Sequence, residues 1–370
     1  MLMPNPYQAS RPVTDPENLF GRKTEFELIY QMLLSGESVN VMGARRIGKS
    51  SFLRVLPQPE IQQRIFGKPA FNEQFVFAYV DMESQKTATP AQFLGRAAKQ
   101  LHKGGLDVST DITSYDDFEA QLEGCADTGK RLILMLDEFD CVARNDKFDI
   151  VFYDTLRYYQ QQYFVSYVVA SSKRVKEVSK NTVAASPFFN IFRFLHLGLL
   201  RDDEANDLIC KDDSMMLYMH FVKLIAGRHP FFISQLCFYL FYFKHTASDT
   251  QTDDDIHTSA VSRFVEEAFD HFAFYWEHLF TDERAVLKKI ADGKKPAKDD
   301  MPELMDLEQK ALIQPDNGGY RVFSAAFEGF VKEVVFSEMK EDLTQFFSKN
   351  TKSLLSIGQY CVDKALELKK

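Results

Sequence analysis

The sequence predicts an α/β protein: a doubly wound parallel sheet, followed by a helical region and a small helix–helix–hairpin unit. Three observations carry this. Gly43-Ala44-Arg45-Arg46-Ile47-Gly48-Lys49-Ser50 has the spacing of a phosphate-binding loop, glycine, four residues, then Gly-Lys-Ser. Short apolar runs alternate with helical periodicity up to about residue 200, the pattern of parallel strands joined by crossover helices. Beyond that point the chain reads as helical until Asp316-Asn317-Gly318-Gly319, a hairpin signal flanked by Leu312–Gln314 and Tyr320–Phe323.

Taken in order, residues 1–20 carry Pro4, Pro6, Pro12 and Pro16 and are expected to be extended. Helical periodicity then runs through Glu25, Leu28, Ile29, Met32 and Leu33 to the Ser35-Gly36 break. Val39, Val41 and Met42 read as a buried strand entering the loop, and Phe52, Leu53 and Val55 begin the helix after it. Gly43 and Gly48 allow the backbone to turn sharply and approach a ligand where a Cβ would intrude. Successive amides from Gly43 to Ser51 would cradle a polyphosphate at the N-terminus of that helix. Lys49 would reach the β- and γ-phosphates, and the Ser50 hydroxyl would ligate Mg²⁺.

Phe75–Asp81 reads as a second strand, with helices over residues 90–103 and 115–125. Arg131–Asp140 is an apolar strand ending in carboxylates; residues 149–162 are helical; Tyr163–Ala170 is a strand ending at Ser171-Ser172; Phe194–Leu197 is the last. Arg201-Asp-Asp-Glu-Ala opens a helix with acidic residues in its first turn, where they favour the dipole. Gly227-Arg228-His229-Pro230 is a break, and the Phe-rich run to Phe243 is too short for a membrane span and reads as a buried helix. The polar residues 246–258 are expected to form a loop. A helix capped by Thr281 and a second over residues 300–311 precede the hairpin, which is a winged-helix pattern. Residues 336–370 form an amphipathic tail of mixed charge.

Phosphoryl transfer needs a metal held opposite the phosphates and a positioned nucleophile. Asp137, where the apolar strand ends, is placed to hold Mg²⁺ through water; Glu138, pointing the other way, is placed to polarise the attacking water. Ser172 ends the neighbouring strand, where a hydroxyl can meet the γ-phosphate or the water. Arg228, His229 and Pro230 would close over the nucleotide from the second domain. Arg45, Arg46, Arg174 and Arg193 read singly as surface charge, with one of them available to act in trans. The result is an NTPase-type site, and nothing resembles a serine, cysteine or metallohydrolase centre.

A formal charge of −9 argues against general nucleic-acid or anionic-membrane binding. The 5 cysteines are scattered without Cys-x-x-Cys spacing, which reads as reduced thiols and no zinc site. With no apolar N-terminal run to serve as a signal peptide, a cytoplasmic, soluble protein is expected.

Together, Asn5-Pro6-Tyr7, Phe20-Gly21-Arg22, Gly-x-Arg-Arg-x-Gly-Lys-Ser-Ser at 43–51, Leu-Asp-Glu-Phe-Asp at 136–140, Gly-Arg-His-Pro-Phe at 227–231 and Gly318–Ser324 resemble the prokaryotic AAA-like ATPases of the STAND class. The resemblance covers about residues 5–335. It implies an ATPase core (1–200), a helical lid (201–270), a winged-helix domain (271–335) and a helical tail (336–370). It further implies ATP/ADP exchange or ATP hydrolysis with Mg²⁺ that switches a signalling or defence protein between resting and assembled states, with self-association and an unidentified protein partner or effector. Phe20, Gly21 and Arg22 would lie near the adenine, and Pro230 would contact base or ribose. Two departures concern the effector: no sensor-repeat array follows the hairpin, and no recognisable effector domain precedes the loop. The alternative is a DNA-binding ATPase resembling origin-recognition proteins. Asp299, Asp300, Glu303, Asp306 and Glu308 on the would-be reading helix argue against it, while Lys294, Lys295, Lys298 and Arg321 argue for it.

Overall fold

The computed structural model describes residues 3–67, 74–82, 88–126, 128–142, 145–179, 183–247, 250–339 and 351–367. The chain divides into two compact units, one of Pro12–Leu197 and one of Met1–Arg11 with Gly198–Lys370.

In the first unit, strands β1 (Ser38–Gly43), β2 (Phe75–Asp81), β3 (Arg131–Asp137), β4 (Val165–Ser171) and β5 (Phe192–Leu197) form a parallel sheet in the order β2-β3-β4-β1-β5. Its helices are α1 (Lys23–Leu34), α2 (Lys49–Val55), α3 (Pro59–Phe66), α4 (Pro90–Lys103), α5 (Tyr115–Ala126), α6 (Ile150–Gln162) and the short α7 (Val175–Val178). The inner strands β3 and β4 are buried almost throughout, as a sheet covered by helices on each side requires, while the edge strand β5 leaves Arg193 and Phe194 exposed. On the α6 side, Phe148, Phe152, Tyr153, Phe188 and Phe189 interlock edge-to-face or tilted, with the Phe148 and Phe152 centroids 4.7 Å apart. On the α1 side, Phe26 stacks on Phe52 of α2 at 4.2 Å, and the Tyr30 hydroxyl donates to Leu56 O, so the helix leaving the phosphate loop is packed at its root. β1 lies between β4 and β5, so the loop leaving β1 opens beside the C-terminal ends of both neighbours, where open parallel sheets bind ligands.

The second unit is helical: α8 (Asp202–Ile209), α9 (Met219–Ala226), α10 (Pro230–Thr246), α11 (Asp253–Glu277), α12 (Thr281–Ala291) and α13 (Met301–Gln309), then the antiparallel hairpin β6 (Ile313–Asp316) and β7 (Gly319–Val322), then α14 (Ala325–Met339) and α15 (Thr351–Glu367). Asn317 and Gly318 turn the hairpin with φ of 44° and 78°, the double left-handed turn that an Asn-Gly pair favours. The N-terminal residues belong here: Tyr7 is buried, its hydroxyl donates to Ile209 O at 2.5 Å and accepts from Asp212 N, and Asn5 Nδ2 donates to Phe238 O at 2.9 Å.

Three local expectations change. The stretch expected to be a loop to residue 258 becomes helix at Asp253, because Thr252 caps α11: its hydroxyl accepts from Asp255 N and the Asp255 carboxylate returns to Thr252 N. Thr281 is not the cap of α12 but its first residue; Glu283 caps the end by accepting from Phe280 N at 2.8 Å. The Phe-rich α10 is not buried all round, since Phe238 and Tyr242 are exposed. Residues 340–350 of the expected tail lie outside the described residues, as do 368–370. No helix among the described residues is long and apolar enough to cross a membrane.

Candidate nucleotide site

At the end of β1, a Cβ on Gly43 would stand 2.5 Å from Leu197 O and 2.9 Å from Ile47 Cγ2, so only glycine fits between the loop and β5. Gly48 sits at φ 106° as the N-cap of α2, and Arg46 turns the loop at φ 64°, both in the left-handed half of backbone space. Arg45 and Arg46 are exposed, Ala44, Gly48, Lys49 and Ser50 half-buried, and Ile47 anchors the loop in the core. The Lys49 ammonium donates to Gly43 O at 2.9 Å and Ala44 O at 3.0 Å, lying back across its own loop. Burial lowers its pKa; the carboxylates of Glu138, Asp140 and Asp137 oppose that shift.

Those carboxylates come from the end of β3. Asp137 is buried; its Oδ2 accepts from the Tyr79 hydroxyl at 2.6 Å and its Oδ1 from Glu138 N at 3.0 Å. Burial and the adjacent Asp137 carboxylate raise the Tyr79 pKa, which keeps the phenol a donor, and Arg54 of α2 lies 4.5 Å over its ring. Glu138 leaves the strand in the left-handed region at φ 52° and is exposed. The two carboxylates are thus separated by more than strand alternation: one is fixed in the sheet, the other stands in solvent on a turned backbone.

The two serines at the end of β4 also part company. Ser171 is buried, accepts from Asn40 Nδ2 at 2.7 Å and donates to Lys173 O. Ser172 is exposed, and its backbone N–H donates to Asp140 Oδ2 at 3.0 Å.

Ahead of the loop, Gly21 and Arg22 both have positive φ, 72° and 67°. The buried Arg22 guanidinium donates to Ile47 O at 3.3 Å and pairs with Glu25 at 3.2 Å, which brings the Phe20-Gly21-Arg22 stretch to the back of the phosphate loop. Ser51 Oγ accepts from Val13 N at 2.9 Å, fastening the preceding segment to α2. Among the arginines considered for action in trans, Arg193 pairs with Glu37 at 3.1 Å, and Arg174 lies over the exposed Phe194 ring.

In the other unit, Pro230 is the first residue of α10. Arg228 donates through Nε and a terminal nitrogen to Gln314 Oε1 of β6 at 3.2 and 2.7 Å, and His229 is buried among Phe232, Tyr275 and Phe323. The Gly-Arg-His-Pro stretch therefore joins α9 and α10 to the hairpin.

Asn40, Tyr79, Arg54 and Asp140 have no assigned role in the sequence reading. One signal was present: Asn40 is the polar residue inside an otherwise apolar strand, Val39-Asn40-Val41.

The strand order, the loop leaving β1 and the buried carboxylate that ends β3 together define a P-loop NTPase. Residues 32–296 match the family described as novel STAND NTPase 2, and the chain belongs to that family. No curated protein matches the sequence. Among solved structures, a Walker-type ATPase of Pyrococcus abyssi is similar with a TM-score of 0.58 and 14% identity, covering 87% of this chain and 99% of that one. The ORC2 protein of Aeropyrum pernix, in ADPNP–ADP complexes, is similar with a TM-score of 0.57 and 13% identity, covering 91% and 98%. At these identities the likeness is one of fold.

Proposed function

We propose that this chain is a Mg²⁺-dependent, ATP-binding and ATP-hydrolysing regulatory switch of STAND type, coupling nucleotide state to domain rearrangement or self-association in signalling or defence. One observation carries the chemistry: the Lys49 ammonium lies on Gly43 O and Ala44 O of a glycine-built loop leaving β1, in the same parallel sheet whose β3 ends in the buried Asp137. A lysine held on loop carbonyls is ready to exchange them for phosphate oxygens, and the loop amides and the α2 N-terminus favour the same anion. Adenine nucleotides are supported by the Aeropyrum pernix relative in fold, solved with ADPNP and ADP.

The residues present fit a metal ion. Asp137 is a buried carboxylate whose two hydrogen bonds leave further lone pairs. Mg²⁺, held by Ser50 and through water by Asp137, would neutralise charge on the β- and γ-phosphates. Glu138, exposed at the end of β3, would orient and polarise the attacking water, and Ser172 would meet the γ-phosphate. Phe20, Gly21 and Arg22 would border the base, with Arg22 also steadying Ile47. In this reading residues 1–200 are the ATPase region, 201–270 a helical lid, 271–335 a winged helix and 336–370 a tail, in a cytoplasmic protein.

Sedimentation velocity without nucleotide, with ADP and with a non-hydrolysable ATP analogue, each with Mg²⁺, tests the switch. A larger species with the analogue alone is expected. An unchanged monomer that binds nucleotide would count against self-association as the output. The helix–helix–hairpin order also favours a second reading, a DNA-binding ATPase of origin-recognition type. However, Asp306 and Glu308 are exposed on α13 and would repel phosphates. Salt-sensitive binding of duplex DNA, with a slope near one unit per phosphate contact, would restore it.

A further inference from the structure

The turn that follows β4 is fastened from both sides. From β1, Asn40 is fully buried; its Nδ2 donates to Val169 O at 3.2 Å and Ser171 Oγ at 2.7 Å, and its Oδ1 accepts from Val175 N at 3.1 Å. Ser171 passes the connection on to Lys173 O. From the turn after β3, Asp140 Oδ2 accepts from Ser172 N at 3.0 Å, while its Oδ1 is buried with no hydrogen-bond partner among the described residues.

Packing does not call for either group. Asn40 is flanked by Val39 and Val41, and a third apolar residue would fill the strand without the desolvation that an amide carries. What the amide adds is three bonds, two of them to residues of the turn and its entry rather than to the ladder. Asp140 adds a charge-assisted bond to a backbone N–H, stronger and more directional than a neutral one. Ser172 lies between these two fixings with its side chain exposed beside the strand end that carries Asp137 and Glu138.

We propose that Asn40 and Asp140 are a positioning pair that sets the 171–175 turn, so that Ser172 distinguishes a triphosphate from a diphosphate. The inference rests on the ATPase reading above. Neither residue binds the nucleotide in it: Asn40 is inside the strand, and Asp140 acts through the Ser172 amide. Lys49 donates to Gly43 O and Ala44 O and Arg22 to Ile47 O, contacts made without Asn40, while Asp140 acts on Lys49 through space, so the pair should bear on diphosphate binding less than on triphosphate discrimination.

The test compares Asp140→Ala, Asp140→Asn and Asn40→Leu with the parent chain, measuring ADP affinity, ATP-analogue affinity, kcat and Tm. Asp140→Ala should leave ADP affinity within about twofold while kcat and the preference for the ATP analogue fall roughly 10–100-fold, the effect of about an ångström of misplacement. Asp140→Asn keeps an oxygen that can accept from Ser172 N and should recover most of the loss. Asn40→Leu should repeat the Asp140→Ala pattern if it folds; if it does not, the Asp140 pair decides alone. Equal loss of ADP and ATP-analogue affinity, tracking a lower Tm and without rescue by Asn, would mean a merely structural role and overturn the proposal. Unchanged kcat and unchanged discrimination in Asp140→Ala would overturn it too. A parent chain that binds neither nucleotide would instead overturn the ATPase reading itself.

Discussion

Lys49 shows how a residue proposed to bind phosphate can work against the stability of its own fold. Its ammonium is held by two loop carbonyls in a buried setting, and burial lowers its pKa from the ordinary 10.5. A lysine whose folded pKa is depressed costs stability while both states are protonated, and that cost is relieved only as pH rises through the lowered value toward the unfolded one. Lys49→Met should therefore unfold at a higher temperature than the parent at neutral pH, with the difference shrinking in the alkaline range; an acid-side convergence would contradict the sign. The same variant should bind ADP and ATP at least ~10–100-fold more weakly, since a hydrogen bond to a charged group is worth about 1.5–3 kcal/mol. Glu138 is the opposite case, exposed on a left-handed backbone. Glu138→Gln should leave nucleotide affinity and Tm nearly unchanged and slow hydrolysis by roughly 10²–10⁴, the usual weight of a general base. Parent-like turnover would move that role elsewhere.

At the scale of elements, the join between α9 and α10 is the least tolerant point of the second unit. Gly227 has φ 67°, and a Cβ there would stand 2.2 Å from Phe323 O and 2.9 Å from the Phe323 ring. Leu200 N donates to Arg228 O at 3.0 Å, and Arg228 binds Gln314, so the α8 entry and β6 are both held at this join. Gly227→Ala combines a left-handed backbone with a backbone clash and should destabilise the unit by at least about 2 kcal/mol in urea unfolding. A loss of a few tenths would show that the hairpin yields easily. The same elements show what local pattern reveals. The strands, the helices over 90–103 and 115–126 and the Asn317-Gly318 turn follow from periodicity and turn chemistry. The start of α11 and the cap of α12 did not, because each depends on a side chain reaching back to a backbone N–H, from Asp255 and Glu283, rather than on the composition of the stretch.

For the whole molecule, the two units give hydrogen exchange a clear reading. ADP with Mg²⁺ should slow exchange first in residues 43–51 of the Pro12–Leu197 unit, because the ligand shifts the local opening equilibria of the loop it orders. A switch requires more: replacing ADP by an ATP analogue should change exchange within Gly198–Lys370 as well. Identical patterns there for the two nucleotides would argue for a nucleotide-binding scaffold instead.

The sequence by itself determined the class of this protein. The glycine spacing of 43–50, the apolar strand ending at Asp137 and the alternation of strands with helices are short-range patterns, and backbone sterics and burial leave them few folded solutions. Only the tertiary structure decided which strands are neighbours and which polar groups meet. Asn40 and Ser171 are far apart in the chain, as are Tyr79 and Asp137, and become bonded pairs only when β1 aligns with β4 and β2 with β3. The docking of Tyr7 beside Ile209 likewise takes the first residues into the second unit. Such pairings depend on strand order and register, which no local stretch encodes, because each buried polar group is satisfied by a partner that folding alone brings within reach.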